Sequence, residues 1–178
     1  IEPKNPMELP RLIDALFTDE TVRRCLEKAF VGVYGAEKVY RTPSGEEMMG
    51  YFFYARMIDG RLTQVKRTDV GIKYWNGEKE EVIRWEELAE AMRQLRVFPQ
   101  LVFSVGIHML AGNVPPGGFN QLEYFFKQVE AWIRFCRLLE KYGVERIPGL
   151  NVTVKEFREY LEMYEKILAF DLIPLVVA

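Results

Sequence analysis

Chemistry at phosphate is the function that the side chains between Tyr54 and Lys73 could serve. Arg56, Arg61, Lys66, Arg67 and Lys73 are the cations, and Tyr54 is a ring interleaved among them. Basic side chains neutralise phosphates without reading bases, and aromatic faces stack on bases. Between residues 31 and 76 there are seven Lys and Arg against five Asp and Glu, so this region is slightly basic in a chain of net charge −2. Period-two alternation sets Tyr54 and Arg56 on one face of a strand. The plainer alternative is a solvated, ion-paired sheet face, with its aromatics turned to the core.

Other chemistries find little to work with. His108 is the only histidine and lies in an apolar run, where a core role is the ordinary one. One His and two distant cysteines make a poor zinc site. Gly117-Gly118 follows two prolines and has no adjoining Lys to meet a phosphate, so no Walker loop is present, nor is a dinucleotide fingerprint. Two serines, Ser44 and Ser104, give no basis for a Ser-His-Asp set. No cofactor and no metal are expected.

The elements that must position the cations centre on Met48–Val82. Asp59-Gly60 and Asn76-Gly77 each divide runs rich in β-branched and aromatic residues. Both dipeptides suit the type I′ hairpin, which needs positive φ at two adjacent positions. Glu37–Arg41 reads as a first strand and Pro43-Ser44-Gly45 as a turn. The expectation is one antiparallel β-meander over about residues 37–84. Before it, Pro6–Phe17 and a segment restarting at Thr18-Asp19 read as helices. The stripe of the second is Val22, Cys25, Leu26, Ala29 and Phe30. After it, Trp85, Leu88, Met92 and Leu95 mark a helix stopped near Phe98 by Pro99. Leu101–Leu110 favours a buried strand over a helix. A loop at 111–118 precedes two helices. The first is capped by Asn120 and stopped by Gly143, and the second opens on a Thr153–Glu156 capping box.

The fold class is therefore α+β in a single domain over 1–178: a helical lead-in (1–36), a sheet core (37–110) and C-terminal helices (119–178). About half the residues are apolar, enough for a sizeable core. Cys25 and Cys136 sit on apolar helix faces and read as buried thiols. No apolar run reaches 18 residues, so no membrane span is expected. Five Asn, five Gln and two Ser beside abundant Glu and Arg lean towards a hyperthermophilic source.

The hairpin region resembles nucleases of the RecB type, including the CRISPR-associated ones. Gly50-Tyr51-Phe52-Phe53-Tyr54 is similar to the strand that carries a metal-binding Asp in that family. Asp59-Gly60-Arg61 is similar to the following hairpin. Gln64-Val65-Lys66-Arg67-Thr68 is similar to the strand with the acid-x-Lys triplet. Trp85–Leu95 and Leu101–Leu110 resemble the helix and strand beyond, so the likeness spans roughly residues 30–112. In the family the acids hold a divalent cation that activates water, and the Lys steadies the scissile phosphate. This chain departs at the acids. Phe52 or Phe53 stands where the Asp belongs and Gln64 where the second acid belongs, and hard cations want oxygen donors. The four cluster-binding cysteines of the CRISPR-associated branch are missing too.

The resemblance thus implies an inactivated nuclease fold, as in nucleocapsid proteins of tristromavirus-type filamentous viruses of hyperthermophilic archaea. It implies a non-enzymatic coat protein found in the virion. Its partners would be nucleic acid, with DNA expected, and itself or a close paralogue. The alternatives are a divergent active nuclease using Asp59, Asp69 or nearby Glu residues, which would be cytoplasmic, and an adaptor subunit of a nucleic-acid-processing complex.

Overall fold

Apolar spacing decides which face of each element turns inward, and the first two helices show it directly. The computed structural model describes residues 9–33, 39–50, 52–100, 106, 110, 122–147, 149–150 and 152–176, with backbone alone for 122–124 and 168–176. Helix α1 (Leu9–Phe17) buries Leu12, Ile13, Leu16 and Phe17. Helix α2 (Glu20–Ala29) opens where the sequence places it: the Asp19 side chain accepts a hydrogen bond from the Val22 N–H. That bond satisfies one of the unpaired amides of the first turn. The α2 stripe of Val22, Cys25, Leu26 and Ala29, with Phe30 following, is buried throughout.

Eight short strands follow: β1 (Val39–Arg41), β2 (Glu47–Met49), β3 (Phe53–Arg56), β4 (Leu62–Gln64), β5 (Lys66–Arg67), β6 (Gly71–Trp75), β7 (Glu80–Arg84) and β8 (Val97–Pro99). All pairings are antiparallel, as expected. They do not form one meander. Three small sheets take its place, ordered β1-β2, β4-β3-β8 and β5-β6-β7. The break is at Val65, which is buried between exposed Gln64 and Lys66 and belongs to neither sheet. The strand running from 62 to 67 therefore leaves one sheet and joins the next.

The hairpin turns sit at the expected glycines, but neither is type I′. In the first, the Gly60 N–H donates to the Met57 carbonyl (3.0 Å) and the Met57 N–H to the Arg61 carbonyl (2.8 Å). Only Gly60 has positive φ, at 86°. This is the three-residue loop in which glycine takes the left-handed bulge position. In the second, Gly77 (φ 115°) holds the first of two loop positions, the site a II′ hairpin gives to glycine. Asn76 acts there through its side chain, accepting from the N–H groups of Glu78 (2.8 Å) and Lys79 (3.0 Å).

A single helical turn (Trp85–Glu87) leads into α3 (Leu88–Arg93). This helix ends earlier than Pro99 suggests. Leu95 adopts a left-handed φ of 55°, and the Arg96 N–H closes the last turn on the Ala91 carbonyl at 2.8 Å. The reversal frees β8 to pair with β3. There Pro99 costs little, because β8 is an edge strand. Of the stretch favoured as a buried strand, Leu101–Leu110, the two described residues, Gly106 and Leu110, are helical. A Cβ on Gly106 would lie 2.0 Å from the indole of Trp132, so this crossing requires glycine. His108, the 111–118 loop and the Asn120 cap lie outside the described residues.

Helices α4 (Leu122–Lys141) and α5 (Val154–Val176) form the C-terminal pair. The capping box is as read: the Thr153 N–H donates to Glu156 Oε2 (2.8 Å) and the Glu156 N–H to Thr153 Oγ1 (3.1 Å). Arg158 reaches Glu140 on α4 at 3.0 Å and Glu162 at 3.1 Å, and Arg137 reaches Glu162 at 3.4 Å, so α5 runs back along α4. Edge-on rings join the parts into one core. Phe17 meets Phe53 at 5.0 Å, Phe30 meets Phe52 at 5.8 Å and Trp132 at 5.4 Å, and Trp132 meets Phe157 at 5.8 Å. Each such pair adds about 0.5–1.5 kcal/mol beyond the area it buries. Both cysteines are free and buried. No described helix is long and apolar enough to cross a membrane.

Candidate nucleic-acid interface

The interface is built by period two. In β6, Ile72 and Tyr74 turn inward, while Lys73 and Trp75 turn out. Ladder pairing carries the same division across the sheet. Lys66 lies opposite Lys73, and Lys73 opposite Val82. Trp75 lies opposite Glu80, and Gly71 opposite Arg84. The outer face thus holds Lys66, Lys73, Trp75, Glu80, Val82 and Arg84. Trp75 is 56% exposed, unusually open for an indole on a sheet. Gly71 lets the strands close, since a Cβ there would stand 2.0 Å from the Ile83 carbonyl oxygen.

Charge on this face is only partly neutralised. Lys73 reaches Glu80 at 3.1 Å and Arg84 reaches Glu86 at 3.1 Å. Lys66 is exposed and has no ion-pair partner among the described residues. Two lysines directly across a ladder repel, a destabilising arrangement unless an anion lies between them.

The neighbouring sheet continues the surface. Along residues 62–67, Leu62, Gln64 and Lys66 are exposed, while Val65 and the Arg67 side chain are buried. Tyr54 pairs with Gln64 and Phe98, and Arg56 with Leu62. Tyr54 and Arg56 therefore share one face, as their spacing requires, but only Arg56 is exposed; Tyr54 is half-buried and packs against the core. The Arg56 guanidinium lies over the Phe98 ring, 5.2 Å from its centre. Arg61 is exposed beside the turn and held by Asp59 at 2.7 Å. The Arg61 backbone N–H and side chain hold the Asp59 carboxyl below the usual carboxylate range.

Arg67 is the predicted site residue that does not join this surface. Its ladder partner is buried Ile72, so it points inward. There it makes a two-pronged bond to Glu27 of α2, Nε to Oε1 at 2.6 Å and an amino nitrogen to Oε2 at 3.0 Å. Glu27 is 0% exposed. The guanidinium also lies 4.4 Å from the ring centre of Tyr40 and 5.5 Å from that of Trp85. Arg23 covers Trp85 at 4.9 Å and donates to the Phe17 carbonyl at 2.9 Å. Burial works against the Arg67 charge, but the hydrogen bonds and charge of Glu27 outweigh it and hold the guanidinium protonated. This cluster ties α2 to β1 and the β5-β6-β7 sheet. Sequence reasoning missed it because Glu27 reads as the polar face of an amphipathic helix. The available signal was parity: Lys66 and Arg67 are adjacent in a strand and cannot share a face.

A second, half-buried acceptor fixes the far end of the sheet. Glu81 accepts from Tyr74 (3.0 Å), Asn76 (2.6 Å) and Arg96 (2.7 Å). Desolvation pushes its carboxyl up, but the three donors together hold it below the ordinary glutamate range.

The positions where the nuclease pattern needs acids serve other ends. Phe53 is fully buried against Phe17, whereas Gln64 faces outward beside Tyr54. Asp69 accepts from the Tyr40 hydroxyl at 2.7 Å and lies 3.6 Å from Arg67. Among the described residues, no three His, Cys, Asp or Glu side chains gather as a metal site. No protein-family model matches the chain, and no curated protein or solved structure is significantly similar to it.

Proposed function

We propose that this protein is a non-enzymatic structural protein that assembles with its own kind around nucleic acid, in the manner of a viral nucleocapsid. The observation that carries the reading is the Lys66–Lys73 row beside exposed Trp75. Paired lysines facing solvent are poised for phosphate, and an open indole offers a stacking surface. Arg56 and Arg61 extend the cationic track onto the adjoining sheet. Such cations meet phosphates rather than base edges, so the affinity is for backbone and the sequence preference slight.

The resemblance to an inactivated RecB-type nuclease supports the same reading. Phe53 fills the core where a metal ligand would be required. Asp59 and Asp69, the acids an active relative would call on, are engaged by Arg61, Tyr40 and Arg67.

Electron microscopy of the purified protein with and without DNA tests the proposal. Regular filaments on DNA support it. Dispersed particles that ignore DNA at low salt overturn it, as does metal-dependent cleavage of the DNA that is lost on Asp59→Asn or Asp69→Asn.

A further inference from the structure

Among the described residues, the outer side of α5 has no partner. Val154, Phe157 and Leu161 are buried on the opposite side, which packs onto the core. On the outer side Tyr160, Met163 and Ile167 are 55%, 49% and 50% exposed. Single exposed apolar residues are ordinary, but three large ones in line over two turns are not. Their spacing of three and then four residues is that of a helix–helix seam.

Charges border one flank of this line. Glu159 and Lys166 each precede a seam residue, are seven residues apart, and are exposed. Lys166 has no ion pair among the described residues, and Glu159 has only a loose one to Lys155 at 3.8 Å. The other flank holds Tyr164, which is uncharged and half-buried.

We infer that this face of α5 docks against the same face of a second copy, antiparallel, with the two-fold axis near Met163. Flank charge selects the direction. In a parallel pair the charged flank of one helix meets the opposite flank of the other, which sets Tyr164 beside Glu159 and Asp171 in register with Lys166, so only one of the two charges finds a countercharge. In an antiparallel pair like flanks meet, so Glu159 lies beside the second copy's Lys166, and Lys166 beside the second copy's Glu159. A two-fold interface requires this reciprocity. Met163 then meets its own counterpart, and Tyr160 meets the second copy's Ile167. The inference rests on the self-assembly part of the proposed function and is independent of nucleic acid.

Sedimentation equilibrium of the full chain without nucleic acid tests it. The wild-type chain is expected to dimerise, and Met163→Glu to sediment as a monomer. Glu159→Lys or Lys166→Glu alone turns two attractive contacts into two repulsive ones and weakens the dimer roughly tenfold. The double variant Glu159→Lys/Lys166→Glu restores it. A wild-type monomer, or a double variant as weak as either single one, overturns the inference. A dimer that ignores DNA would overturn the proposed function and leave this inference standing.

Discussion

Lys66 and Arg67 are neighbours in one strand and belong to different environments. Arg67 lies under the sheet, its side chain 7% exposed, bonded twice to a glutamate that sees no water. Lys66 lies on top, open to solvent, across the ladder from another lysine. The inner face uses a cation to join a helix to a sheet. The outer face keeps cations where a second molecule can reach them. Residue type alone does not distinguish a structural cation from a contacting one; position in the pleat and the nearest carboxylate do.

The strongest way to break the comparison is to remove the inner cation. Arg67→Ala leaves the Glu27 carboxylate buried without its partner, which costs about 3–5 kcal/mol. Urea denaturation should show that loss. The paired replacement Glu27→Met/Arg67→Met should recover most of it, because two apolar side chains avoid burying charge. If Arg67→Ala is neutral, the inner cluster is not what joins α2 to the sheet.

The outer cations should respond in the reverse manner. Lys66→Ala/Lys73→Ala should leave stability within about 0.5 kcal/mol, or improve it slightly by removing a repelling pair. Its effect belongs to binding. The slope of log affinity against log salt should flatten by about 0.7–0.9 per lost phosphate contact.

Trp75→Ala sharpens the comparison further. Stacking is worth about 1–3 kcal/mol per base, so binding of single-stranded DNA should weaken while duplex binding and stability hardly change. Equal losses on both DNA forms would make Trp75 a packing residue.

The smallest effect is one of pH. The Glu81 carboxyl is held below its ordinary range, so its contribution to stability is present above that range and is lost as pH falls through the lowered folded value. Chemical denaturation from neutral pH down to about pH 3, past the ordinary glutamate value of about 4.3, should show a steeper decline for the wild type than for Glu81→Gln. Parallel declines would remove Glu81 from the account.

Much of the fold was legible because local physics settled it. Asp19 and Thr153 cap where a short side-chain oxygen meets free amides, and Gly60 and Gly77 turn where positive φ is needed. The division of the meander was not legible, since Val65 continues the local alternation and only its burial between two sheets reveals the break. Nor was the end of α3: Pro99 is the conspicuous stop, yet Leu95 turns left-handed four residues earlier. Within the site, Tyr54 and Arg56 could be placed by parity. The partner of Arg67 lies 40 residues away in sequence, a separation that periodicity cannot bridge.

The central claim, that the outer face meets phosphate and the inner one does not, is tested most directly by titrating labelled single-stranded DNA at several salt concentrations. The proteins to compare are the wild type and Lys66→Glu/Lys73→Glu. For the wild type, four contacts from Arg56, Arg61, Lys66 and Lys73 predict a log–log slope of about −3. The doubly reversed variant should fold normally, bind at least tenfold more weakly and show a slope reduced by about 1.4. Identical affinities and slopes for the two proteins would contradict the claim.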